Sequence, residues 1–207
     1  MLFLPDGITR LPEPYIIFIP GATWEQFIEF ASEDISCELI GGTIVVHSPA
    51  SLEHEQIFQW LLIFFNRFLK ATESGSVIGS RFVMKIDSNW APEPDLFIIR
   101  PEKENLFKDT YFDGPADLII EILSKSTRKT DLEDKLPKYL TSGVNEIWII
   151  DPDNGTITVH SKTSSKEYRT GESFQSGFSA QLTFKVEWLW NRNKYDPLEV
   201  LEDILSP

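Results

Sequence analysis

The apolar positions along the chain fall into two rhythms. In "SLEHEQIFQWLLIFFNRFLK", Ile57, Leu61, Phe64, Phe65 and Phe68 recur at helical intervals, which predicts a helix from Ser51 to about Lys70 with one broad apolar face. "TWEQFIEF" predicts a shorter helix, opened by the capping-box pair Thr23 and Gln26. Elsewhere the runs are short and rich in β-branched and aromatic residues. "CELIGGTIVVHS" reads as a hairpin turning at Gly41-Gly42, and "SVIGSRFVMKID", "PDLFIIR" and "DLIIEIL" read as three successive strands. "NEIWIID", the turn "PDNG" and "TITVHS" form a further strand pair.

Between these strands, "SKSTRKTDLEDKLPKYLTSG" reads as a loop and a helix, with Thr130 and Glu133 as a second capping box and Gly143 as the stop. Pro137 lies inside that helix and predicts a bend. The first 22 residues read as an irregular arm because four prolines precede Gly21, and "YDPLEVLEDIL" as a short final helix. The expected architecture is α+β, a central mixed β-sheet flanked by helices, with the long helix and the Thr130 helix packed on it. Its expected limits are an N-terminal arm over 1–22, one domain over 23–190 and a C-terminal tail over 191–207.

Composition narrows the chemistry. With 42% hydrophobic residues in 207, the chain can bury a sizeable core, and its one cysteine, Cys37, excludes an internal disulfide and a cysteine-based zinc site. No signal peptide is evident, and the longest strongly apolar run, "IFQWLLIFF", falls short of the roughly 20 residues that span a bilayer, so a cytoplasmic protein without membrane contact is expected. The net charge of -13 argues against a nonspecific nucleic-acid coat but leaves room for a local basic patch. Lys125, Arg128, Lys129, Lys135 and Lys138 form a candidate patch, although Asp131, Glu133 and Asp134 interleave with them as on a solvated face.

Glu121 is the anomaly. It interrupts Leu118, Ile119, Ile120, Ile122 and Leu123 in a strand apolar on both faces, where an ionised carboxylate is costly unless compensated. Asp95 stands at the start of the preceding strand, so antiparallel pairing would bring the two acids to one sheet edge, where a cation would join them. One or two carboxylates, a backbone carbonyl and waters are a usual Mg²⁺ environment. Asp131, Lys135 and Tyr139, spaced by four on the next helix, could present the lysine to both acids, although a surface pair of Asp131 and Lys135 explains the same spacing.

The runs "CELIGGTIVVHSPASLEHEQI", "EPDLFII" and "ADLIIEILSKSTRKTDLEDKLPKYLTSGVNEIWIIDP", spread over 23–161, resemble the Uma-two family of restriction-endonuclease-like proteins in the PD-(D/E)xK nuclease superfamily. The ordered set Pro94-Asp95, Glu121 to Ser124, Asp131, Lys135, Tyr139, Gly143 and Asp151 carries the resemblance. It implies a Mg²⁺-dependent endonuclease acting on DNA, with Mn²⁺ able to substitute, and a homodimer. Asp95 and Glu121 would be its metal ligands, with the carbonyl of Ile122 a further one. The superfamily lysine stands two residues after the glutamate, but that position is Leu123 here, which makes Lys135 the implied catalytic lysine. Glu38 matches an early glutamate of the family, and His54, Asp131 and Tyr139 are auxiliary candidates. Two other readings stay open: a catalytically silent binding or regulatory module on the same scaffold, and a hydrolase of small phosphate esters.

Overall fold

Alternation along the Glu121 strand organises the molecule. The structure, a computed structural model, describes residues 14–31, 35–79 and 81–205. In chain order the first elements are β1 (Ile16–Pro20), α1 (Trp24–Phe30), β2 (Cys37–Ile40), β3 (Thr43–His47) and α2 (Leu52–Thr72). There follow β4 (Ser76–Gly79), β5 (Val83–Lys85), β6 (Leu96–Ile99), β7 (Tyr111–Asp113) and β8 (Leu118–Ile122). A π-helical turn (Thr130–Lys135) runs directly into α3 (Leu136–Ser142). The chain then forms β9 (Glu146–Asp151), β10 (Thr156–Ser161), β11 (Ser165–Arg169), β12 (Ser173–Gln175), β13 (Thr183–Lys185), α4 (Glu187–Trp190) and α5 (Pro197–Leu205).

Six strands form the central sheet in the order β11-β10-β9-β8-β6-β4. Its pairs are antiparallel except β8 with β9, which run parallel and are joined by the crossover through α3, so the sheet is mixed. Leu118, Ile120 and Ile122 of β8 face one core layer, with Ile57, Leu61, Phe64 and Phe65 of α2. Ile119 and Leu123 face the other, with Tyr139 and the partly buried Leu136 and Leu140 of α3. Burying each such large apolar side chain contributes about 1.5–3 kcal/mol, which is why the apolar face of α2 seeks the sheet. The far end of the chain joins the same layer, since Val200 and Leu201 of α5 belong to the core around α2.

Local chemistry sets the element boundaries. Thr23 and Gln26 form the expected capping box, Ser51 Oγ accepts from His54 N at the start of α2, and Gly41 and Gly42 turn the β2-β3 hairpin at φ 57° and 76°. Three expectations are corrected. Residues 16–20 are not an irregular arm: they pair with β3 as strand β1, while residues 1–13 lie outside the described residues. The expected single strand "SVIGSRFVMKID" divides, because β4 pairs with β6 whereas β5 pairs in parallel with β7; Ser80 between them lies outside the described residues.

The third correction concerns the helix after β8. Thr130 does not cap it; Ser124, directly behind the strand, does so by accepting from Thr127 N at 3.2 Å, and helical backbone is already present at Arg128. Pro137 was expected to bend the rod. The wider π-helical turn stands immediately before it, with the Leu136 N–H reaching the Asp131 carbonyl, so α3 starts afresh with the proline in its first turn, where no N–H is needed. Among the described residues no helix is long and apolar enough to cross a membrane.

Candidate active site

Antiparallel pairing of β6 with β8 sets Leu96 opposite Ile120, so Asp95, one residue earlier, meets the end of β8. Asp95 Oδ2 accepts from Ile122 N at 2.7 Å, and Glu121 Oε2 accepts from Asp95 N at 3.4 Å. The two acids are thus cross-strand neighbours, Glu121 accepting from the backbone of Asp95 and Asp95 from the backbone of Ile122, the residue after Glu121. His54, in the first turn of α2, brings Nε2 to 3.1 Å from Asp95 Oδ1. Each carboxylate oxygen has a second lone pair, so these bonds leave acceptor capacity on the pair.

Lys135 arrives from the opposite direction. Its Nζ lies 2.8 Å from Asp131 Oδ1, 3.0 Å from Glu121 Oε1 and 3.4 Å from Glu38 Oε2, and the side chain is only 4% exposed. Asp131 and Lys135 are therefore an interior pair, not a solvated one. Leu123, two residues after Glu121, points into the α3 layer beside Tyr139, and the crossover helix delivers the ammonium in its place. Tyr139, fully buried, donates its hydroxyl to Glu121 Oε1 at 2.7 Å and holds that carboxylate's orientation. Glu38 belongs to the β2-β3 hairpin; its Oε1 contacts His47 Nε2 at 2.9 Å and its Oε2 accepts from Glu93 N at 3.1 Å.

The electrostatics follow from one buried ammonium among several carboxyl groups. Burial opposes ionisation of Glu38, but Lys135, His47 and the Glu93 N–H outweigh it and hold its carboxyl down at about 2. Burial pushes Glu121 and Asp131 upward, with neighbouring carboxylates adding to the effect and Lys135 resisting it. Burial also works against the Lys135 ammonium, yet Asp131, Glu121 and Glu38 raise it well above its ordinary value. Burial lowers His54, and its hydrogen bond to Asp95 reverses the sign. Lys135 thus remains a cation beside the ionised Glu38, while burial favours the protonated forms of Glu121 and Asp131.

These groups line a cleft of about 1290 Å³ whose walls include Asp95, Glu121, Lys135, Glu38, His47 and His54. No set of three or more His, Cys, Asp and Glu side chains is arranged to hold a metal ion among the described residues. Mg²⁺ commonly takes one or two carboxylates and completes its shell with water and phosphate oxygens, so the hard oxygen donors of Asp95 and Glu121 suit it by type. His54, Asp131 and Tyr139 reach this cluster through their side chains and Ile122 through its N–H, whereas of the candidate basic patch Lys135 alone is seen to join it: Arg128 pairs with Asp151 and Lys138 with Asp87.

Sequence reasoning missed Glu93, His47 and Gly79. Burial, followed by the Glu38 charge, pushes the Glu93 carboxyl up to about 8. A Cβ at Gly79 would lie 2.9 Å from the Asp95 carbonyl and 2.7 Å from Phe58 and Leu96 side-chain atoms, so the bare backbone there lets β4, α2 and the Asp95 segment close up. None of the three carries a spacing signal. Their roles arise from pairings between distant segments.

No curated protein matches the chain. Among solved structures, a "putative nuclease belonging to DUF820" from Anabaena variabilis superposes with a TM-score of 0.72 at 19% identity, over 81% of this chain and 97% of that one. At that identity the likeness establishes the fold, which is restriction-endonuclease-like. The Uma2 family model, described as "Putative restriction endonuclease", matches residues 24–191, and the chain that places Asp95, Glu121 and Lys135 together therefore belongs to the Uma2 family.

Proposed function

We propose that this chain is a Mg²⁺-dependent nuclease that hydrolyses DNA phosphodiester bonds. The observation that carries the reading is the meeting of Asp95 and Glu121 across β6 and β8 with the Lys135 ammonium 3.0 Å from Glu121. The Uma2 family description and the solved nuclease of the same fold favour the same reaction class. Asp95 and Glu121 would hold the ion, with the Ile122 carbonyl as a further ligand. When bound, Mg²⁺ supplies Lewis-acid polarisation of the phosphate and lowers the pKa of a coordinated water.

The remaining work falls to the protein. Lys135 keeps its proton and its three N–H groups face Asp131, Glu121 and Glu38, so it acts as a positive charge near the crowded phosphate, not as a general base. Tyr139 keeps Glu121 Oε1 engaged, which leaves Oε2 on the Asp95 side. Glu38 and Asp131 hold the lysine from two further directions. Because the chain carries a net charge of -13, its affinity for a polyanion is expected to depend on divalent ions.

Incubation with supercoiled plasmid DNA tests the proposal. Wild type should nick or linearise it with Mg²⁺ or Mn²⁺ and be silenced by EDTA, and folded Asp95→Asn and Glu121→Gln should be inert. Folded wild-type protein that leaves the plasmid intact with either ion would overturn the nuclease reading, and turnover of a small phosphate ester would then separate the small-ester hydrolase from the silent scaffold.

A further inference from the structure

Lys135 is held by three carboxylates, and one of them stands on a different sheet. Glu38 lies on β2 opposite Val45 of β3, and His47 is two residues farther along β3, a diagonal neighbour on the same face. The imidazole Nε2 stands 2.9 Å from Glu38 Oε1, while Glu93 N–H and Lys135 Nζ both approach Oε2. Glu38 is ionised and can only accept, so His47 Nε2 is the donor of that bond. The other ring nitrogen, Nδ1, is buried and has no hydrogen-bond partner among the described residues, although the ring forms part of the cleft wall. A histidine serving packing alone would ordinarily have both nitrogens satisfied.

We propose that His47 is a positioning residue for Lys135, acting through Glu38. One oxygen of Glu38 is fixed by His47 and the other by the Glu93 backbone, and this double anchorage sets where Oε2 meets the ammonium. Without the imidazole, the carboxylate can rotate about its last bond, and Lys135 settles toward Asp131 and Glu121, away from the hairpin side of the cleft. The sequence holds no hint of this pairing, since alternation alone gives only the shared face.

The test uses two variants and two measurements. His47→Leu removes the donor and His47→Gln restores an amide donor. The inference rests on the nuclease reading only for its kinetic measurement. In cleavage of plasmid DNA with Mg²⁺, His47→Leu should lose about tenfold in kcat with KM changed less than about twofold, the effect of one lost hydrogen bond that matters in the transition state. His47→Gln should recover most of that loss. In metal-free protein, the ¹⁵N–¹H signal of the Lys135 ammonium, identified by its absence in Lys135→Arg, should move in His47→Leu and return toward wild type in His47→Gln. An unmoved signal in folded His47→Leu overturns the proposal whatever the kinetics. So does a signal that moves equally in both variants; should His47→Leu fail to fold, a signal displaced from wild type in folded His47→Gln overturns the proposal and a wild-type signal there supports it. Inert wild-type protein would remove the nuclease reading alone, and the ammonium signal would still decide the role of His47.

Discussion

The ammonium of Lys135 lies 3.0 Å from the carboxylate of Glu121, although it comes from the crossover helix and not from the strand that carries the glutamate. The strand position that would otherwise reach the same place is Leu123, whose side chain packs against α3. The helix serves in place of the strand as the source of charge, and an apolar contact occupies the strand position. The same substitution of roles explains why the interior tolerates Glu121, Asp131 and Glu38 so close together.

Replacing Lys135 with methionine should expose that dependence. Breaking a buried ion pair by removing one partner typically costs about 3–5 kcal/mol, because the remaining charge has no compensation. Three carboxylates share this lysine, so Lys135→Met should destabilise the fold by that order in urea unfolding at neutral pH, in addition to abolishing cleavage. A loss below about 1 kcal/mol would mean that the carboxylates find other partners, and that the cluster is looser than these distances indicate.

Gly79→Ala should act on the site without altering any polar side chain. The added methyl would press on the Asp95 carbonyl at 2.9 Å, and that backbone cannot give way as a flexible side chain can. Overpacking of this kind costs about 1–3 kcal/mol. Because the strained atom belongs to Asp95 itself, plasmid cleavage should fall by about tenfold or more even at temperatures where circular dichroism reports a folded protein. Unchanged cleavage in a destabilised variant would separate Asp95 from the packing of β4.

The Arg128-Asp151 pair gives stability its acid limit. The guanidinium donates to both carboxylate oxygens at 2.7 Å, tying the start of the crossover helix to the end of β9. Those hydrogen bonds, opposed by burial and helped by Asn154, lower Asp151 from its ordinary 3.8 to about 2. A carboxyl depressed in the folded state contributes stability above pH 3.8 and loses it as pH falls toward 2. Since the guanidinium is one-third exposed, the contribution is on the order of 1–2 kcal/mol. Asp151→Asn should therefore be less stable than wild type at pH 7 in urea unfolding, with the gap closing as pH approaches 2; a constant gap would show that the charge is not responsible.

Much of this arrangement was legible from residue order, for reasons that differ by element. The α2 periodicity, the Thr23 box and the Gly41-Gly42 turn are local signals, and each appears as read. Glu121 betrayed itself because a carboxylate in an apolar run contradicts its surroundings, and Asp95 followed from strand pairing. The Ser124 cap and the π-helical turn escaped because Thr130 and Glu133 offer an equally good local pattern, and the choice depends on where β8 releases the chain. His47 and Gly79 escaped because hairpin diagonals and interstrand contacts leave no periodic trace.

Divalent ions should stabilise the wild-type protein in proportion to their fit between Asp95 and Glu121. A ligand that binds only the folded state at about a hundred times its Kd adds about 2.7 kcal/mol, which for a chain of this size raises Tm by roughly 5–10 °C. Thermal unfolding with increasing Mn²⁺ should show such a rise in wild type and Tyr139→Phe, and little in Asp95→Asn, which keeps the shape of the site but removes one anionic donor. The Tm response separates ion binding from catalysis, because it needs no substrate. An equal rise in Asp95→Asn would place the bound ion elsewhere, and no rise in any form would leave Lys135 as the cation that this carboxylate cluster was built to hold.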